Sequence, residues 1–130
     1  MNSEDFPEGP GIYQLHLLVG KPVTIAVGKL GEIEFAAGEY VYTGSAMGGL
    51  RARLARHCRF EKKLHWHIDY LLPHASIGNV TWQVTSVKVE CETHRRLLEL
   101  NPSASEIVGF GCSDCKCRSH LAWIRNGRRK

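Results

Sequence analysis

The chain has 130 residues, 43% of them hydrophobic and 23% charged, with a formal net charge of +4. These values are ordinary for a soluble globular chain and sufficient for one domain with a modest core of its own. No apolar run approaches the ~20 residues that a helical membrane span needs, which excludes that class.

The expected architecture is α+β, a small, mostly antiparallel sheet flanked by helices. One domain is expected over residues 1–130, with residues 1–9 and 125–130 as flexible tails. Pro10 to Val19 reads as a strand through Ile12, Tyr13, Leu15, Leu17 and Leu18. Gly20-Lys21-Pro22 turns the chain into Val23–Val27, a second strand, and Ile33-Glu34-Phe35 makes a short third after the turn at Gly28–Gly31. Glu39–Gly44 is the next strand, and Gly48-Gly49 breaks it from a helix. In that helix Leu50, Leu54 and Cys58 recur at four-residue spacing as the apolar stripe, with Arg53 and His57 on its flank one turn apart. Leu64–Leu72 reads as a second helix stopped by Pro73, and Asn79–Val84 as an alternating strand. Val89–Leu100 reads as a third helix closed by Asn101-Pro102, and Leu121–Ile124 as a final buried strand. Short connections favour antiparallel neighbours.

Charge is unevenly distributed. Residues 51–63 carry Arg51, Arg53, Arg56, Arg59, Lys62 and Lys63 against Glu61 alone, and the tail carries Arg125, Arg128, Arg129 and Lys130. Clustered positive charge suits a polyanion, most commonly nucleic acid; the competing reading is a solvated basic helix face. The start of the chain, Met1-Asn2-Ser3-Glu4-Asp5, is acidic and unlike a signal or transit peptide. Five cysteines without a secretory context favour reduced thiols and a cytoplasmic location.

The ordered set Gly11-Ile12-Tyr13, Tyr42-Thr43-Gly44, Arg53 and His57 offers two phenols, a guanidinium and an imidazole that one phosphodiester could meet. With the segments Trp66–Leu71 and Ser113–Leu121, this set resembles the GIY-YIG nuclease superfamily, in particular a compact stand-alone branch. The resemblance runs from about Gly11 to Ile124. It implies a metal-dependent endonuclease that hydrolyses DNA phosphodiesters in repair or processing. By that likeness Tyr13, Tyr42, Arg53 and His57 are the catalytic residues, and a glutamate on the third helix binds Mg²⁺ or Mn²⁺. Glu90 takes that place, with Glu92 in reserve. The remaining cations of the basic segment (Arg51, Arg56, Arg59, Lys62 and Lys63) would contact DNA. A single carboxylate suits Mg²⁺, which keeps much of its water. Arg53 presents planar, permanently charged donors to phosphate. Tyr13 can act as a general base only if Arg53 or the metal lowers its pKa from the usual value near 10.

A second cluster, Cys112, Asp114, Cys115, Cys117 and His120, admits several readings. Three thiols and an imidazole can close a zinc site; a hydrogen-bonded turn with buried thiols bracing the third helix is the plainer alternative; and Asp114 or His120 could sit beside the phosphate. His67 reads as a core histidine held by a carbonyl or carboxylate, with contact to DNA as the alternative. Two other functions compete with the endonuclease: a non-catalytic nucleic-acid-binding module, and a zinc-stabilised interaction domain built on the cysteine cluster.

Overall fold

A computed structural model describes residues 5–59, 63–64, 66–111 and 118–125. The strands are β1 (Gly11–Val19), β2 (Val23–Ala26), β3 (Glu32–Phe35), β4 (Gly38–Ala46), β5 (Ser76–Val84), β6 (Ser105–Glu106) and β7 (Leu121–Arg125). The helices are α1 (Leu50–Cys58), α2 (His67–Leu71) and α3 (Glu90–Leu100). The fold is α+β: a five-stranded antiparallel sheet in the order β5-β1-β4-β7-β6 with helices against it, and β2-β3 as a separate hairpin. Among the described residues, no helix is long and apolar enough to cross a membrane.

The two faces of the sheet are read directly from strand alternation. Tyr13, Leu15, Leu17 and Val19 of β1 and Tyr40, Tyr42 and Ala46 of β4 are all buried on one face, which α1 packs against. Leu15 and Leu54 have almost no exposed surface, and each such side chain stabilises the fold by about 1.5–3 kcal/mol through removal from water. Ile12, Gln14, Thr43 and Ser45 turn to the other face, where α3 approaches. Register locks this division, because a slip of one residue would carry the whole apolar set into solvent.

Several elements differ from the sequence reading for identifiable reasons. The second helix starts at His67 rather than Leu64, because the Asp69 carboxylate accepts the Trp66 N–H (2.9 Å) and so caps the first turn there. In α1 the inward residues are Leu50, Leu54 and His57, while Cys58 is exposed. His57 therefore belongs to the buried stripe and not to its flank, drawn in by a polar partner on the sheet. β5 begins at Ser76, and a bulge opposite His16 and Leu17 lets it run the length of β1. The two-residue strand β6 was not anticipated; it is too short to show any alternation. Phe6 lies in the core with its ring edge-on to Trp82 (5.6 Å), so the ordered body begins before the first strand.

Candidate functional site

The short tripeptides have a steric cause. A Cβ on Gly44 would lie 2.6 Å from the Tyr13 ring and hydroxyl, and one on Gly11 would lie 2.5 Å from both the Gln83 carbonyl and the Leu50 side chain. Glycine at these positions lets Tyr13 lie flat across β4 and lets α1 settle on β1. Tyr13 and Tyr42 then sit diagonally on one face with ring centroids 6.3 Å apart.

The Tyr13 hydroxyl stands 2.7 Å from His57 Nε2, and both residues are only 2% exposed. Burial pushes the Tyr13 pKa up to about 12; the Arg53 charge and its hydrogen bond to the phenol pull the other way and lose. Arg53 by itself therefore does not meet the condition for Tyr13 to act as a base near neutral pH, because desolvation of a fully enclosed phenolate outweighs one guanidinium. A phenol that keeps its proton can donate it to His57 Nε2 in the tautomer that carries its own proton on Nδ1. Burial also raises the Tyr42 pKa well above its usual value, with the neighbouring Tyr13 adding to the shift.

Arg53 is fixed from two sides. Its Nη1 donates to the Ser45 carbonyl (2.7 Å), and its guanidinium lies 4.2 Å from the centre of the Trp66 ring. The Arg56 guanidinium lies 4.3 Å from the same centre. Both guanidinium groups thus lie within cation–π distance of one indole. Arg56 is itself held by the fully buried Asp69 through two bonds of 2.8 and 2.9 Å, and donates to the Lys63 carbonyl (2.8 Å). Most of the donors of Arg56 are thus committed within the protein, a structural role that its spacing in the sequence did not disclose. Arg51 is likewise bonded to the Phe6 carbonyl and Glu8, whereas Arg59 and Lys63 are exposed.

Glu90 enters from the opposite face. Its Oε2 accepts the Ser45 hydroxyl at 3.1 Å and lies 3.7 Å from Lys88 Nζ; Glu90 is 8% exposed, while Glu92 points to solvent. Ser45, which no spacing in the sequence singles out, therefore joins the two halves: its carbonyl takes Arg53 and its hydroxyl meets Glu90. It can do so because β7 pairs with β4 only as far as Tyr42, and the last bond of that ladder runs from the Thr43 N–H to the His120 carbonyl (2.9 Å). Past Thr43 no described strand flanks β4 on that side, and the two faces meet around its edge.

The second cluster falls largely out of reach: Cys112, Asp114, Cys115 and Cys117, like Lys62, lie outside the described residues. His120 is buried with Nε2 3.4 Å from Cys91 Sγ, and burial together with the nearby His94 lowers its pKa. His67 accepts the Gly111 N–H at Nδ1 (2.8 Å), and burial lowers its pKa too. Among the described residues, no group of three or more His, Cys, Asp or Glu side chains is placed to hold a metal ion.

A family model described as "Domain of unknown function DUF123" matches residues 12–130. The chain belongs to the DUF123 family. No curated protein and no solved structure matches it. Membership in DUF123 overturns the resemblance to the GIY-YIG nuclease superfamily and the nuclease label that came with it. The glycine–tyrosine tripeptides that carried the resemblance are accounted for by close packing of β1 on β4, a need that any such sheet can meet in the same way. The roles of Tyr13, Tyr42, Arg53, His57 and Glu90 in a DUF123 chain therefore rest on geometry alone.

Proposed function

We propose that the protein hydrolyses DNA phosphodiester bonds in a reaction that depends on a divalent cation. The observation that carries this reading is the Tyr13–His57 hydrogen bond of 2.7 Å beneath the Arg53 guanidinium. In this reading a water gives its proton to the Tyr13 oxygen as the Tyr13 proton passes to His57 Nε2. The water oxygen bonds to phosphorus while the bond from phosphorus to one sugar oxygen breaks, and that oxygen leaves and takes a proton from solvent. Arg53 stabilises the phenolate that forms transiently and the charge that gathers on the phosphate oxygens. Trp66 and the Ser45 carbonyl hold Arg53 in place for both tasks. Tyr42 orients the phosphate through its hydroxyl. Glu90 and the Ser45 hydroxyl form an oxygen donor set that suits hydrated Mg²⁺ or Mn²⁺. Such a cation, when bound, would act as a Lewis acid toward the leaving oxygen. Arg59 and Lys63 supply charge along the DNA backbone, and the cytoplasm is the proposed place of action.

The test is incubation of the purified protein with Mg²⁺ or Mn²⁺ and end-labelled DNA, comparing wild type with Arg53→Ala and Glu90→Gln. Cleavage by the wild type that falls at least a hundredfold in each variant is the expected result, in line with about 10²–10³ for loss of one preorganised charge-stabilising group. Equal cleavage by all three proteins would refute the reading. A second reading, a non-catalytic DNA-binding module, is favoured by the near-complete enclosure of Tyr13 and the contact of Glu90 with Lys88. Salt-sensitive binding with no metal-dependent cleavage distinguishes it.

A further inference from the structure

On the α3 side of the sheet, a groove runs between β1, β5 and the helix, floored by Ile12 and Thr93 and walled by Gln14, Thr81 and Gln83. None of the residues that line it is charged. The Thr93 hydroxyl is spent on the Val89 carbonyl (2.8 Å), so the helix side offers mainly its methyl group. Gln14 donates its amide N–H to Thr43 Oγ1 (3.1 Å), which leaves its carbonyl oxygen as an acceptor, while Thr81 and Gln83 are exposed with both donors and acceptors. The Tyr13 and Trp82 rings turn to the opposite face, so only their backbone reaches this groove.

This lining selects its guest by chemistry. A phosphate would meet no cation here, and an aliphatic group would leave several amides and hydroxyls without partners. A planar, uncharged group with its own ring of donors and acceptors matches an apolar floor with neutral polar walls. The groove is also continuous with the candidate site, because Ile12 is the direct cross-strand partner of Ser45, whose hydroxyl meets Glu90. A nucleotide whose phosphate lay at the β4 edge would carry its base to this groove one to two strand spacings away, roughly 5–10 Å.

We infer that the groove of Gln14, Thr81 and Gln83 is a base-binding subsite that receives an unpaired nucleobase of the DNA strand. This rests on the proposed phosphodiester site for its orientation, and it adds a substrate class: DNA with at least one nucleotide out of the stack. A base inside a duplex cannot reach a groove of this kind without being extruded, so fully paired DNA is the poorer ligand.

The test uses a short oligothymidylate and a perfectly paired hairpin of equal charge, its strands joined by a non-nucleotide linker so that no base is unpaired, titrated into isotopically labelled protein without metal. Shifts at the backbone and side-chain amides of Gln14, Thr81 and Gln83 are expected with the oligothymidylate and not with the hairpin. Thr81→Val with Gln83→Leu, both at exposed positions, is expected to weaken oligothymidylate binding about tenfold while hairpin binding stays unchanged, as loss of one or two hydrogen bonds predicts. Shifts confined to the basic α1 region, or equal affinity of wild type and double variant for oligothymidylate, would overturn the inference. Because no cleavage is read, a failed hydrolysis assay overturns the proposed function separately from this one.

Discussion

Replacing Asp69 by asparagine isolates the element that holds Arg53. Asp69 has no exposed surface; it binds Arg56 through both carboxylate oxygens and takes the Trp66 N–H. Asparagine keeps the shape but removes the charge and one of the two acceptors facing Arg56. Breaking a fully buried ion pair from one side is worth about 3–5 kcal/mol. The Arg56 side chain is 19% exposed and can recover part of its hydration, which brings the expected loss to about 2–3 kcal/mol. At about 3–5 °C per kcal/mol for a chain of this size, the melting midpoint falls by roughly 6–15 °C. Differential scanning calorimetry of wild type, Asp69→Asn, Arg56→Met and the double variant gives the coupling directly. The double variant is expected to be more stable than the sum of the single losses predicts, since no charge is then stranded. A midpoint within about 2 °C of wild type for Asp69→Asn, or strict additivity, would show that the pair neither stabilises α2 nor anchors the Arg56–Trp66 contact.

Other perturbations probe separate features. Gly44→Ala forces a methyl group against the Tyr13 ring; it is expected to destabilise the fold by about 1–3 kcal/mol in urea melts and to slow any DNA cleavage. Stability should fall as pH drops below the unfolded histidine value of 6.5, because burial lowers the folded pKa of His16, His67 and His120 and the unfolded chain then binds more protons. Urea midpoints that stay flat between neutral pH and pH about 5 would contradict that sign. At the alkaline end, Tyr13 and Tyr40, both raised to about 12, contribute stability that is complete below pH 10 and is lost as pH climbs toward 12. In a Tyr70→Phe background, phenolate absorbance from the remaining tyrosines should therefore rise together with unfolding and not before it. Arg59→Gln with Lys63→Gln should lower the slope of log affinity for DNA against log salt by about 0.9 for each phosphate that is no longer neutralised.

The local sequence determined which segments become strands and helices. Alternation marks β1, β4 and β5, the four-residue recurrence of Leu50 and Leu54 marks α1, and the Gly48-Gly49 and Asn101-Pro102 breaks bound their neighbours. These signals survive because they reflect backbone preference and one-sided burial, which act over a few residues. The closeness of Tyr13, Tyr42, Arg53 and His57 was legible for the same reason: paired neighbouring strands and one turn of helix leave them little room to part. Tertiary structure alone decided the rest. It put Glu90 on the far face, with Ser45 as the link around the β4 edge, and turned His57 inward. It committed Arg56 to Asp69 and raised the Tyr13 pKa, a shift that no spacing in the sequence discloses. Those outcomes depend on which distant groups exclude water from one another, and desolvation is a property of the packed whole that no short window of residues contains.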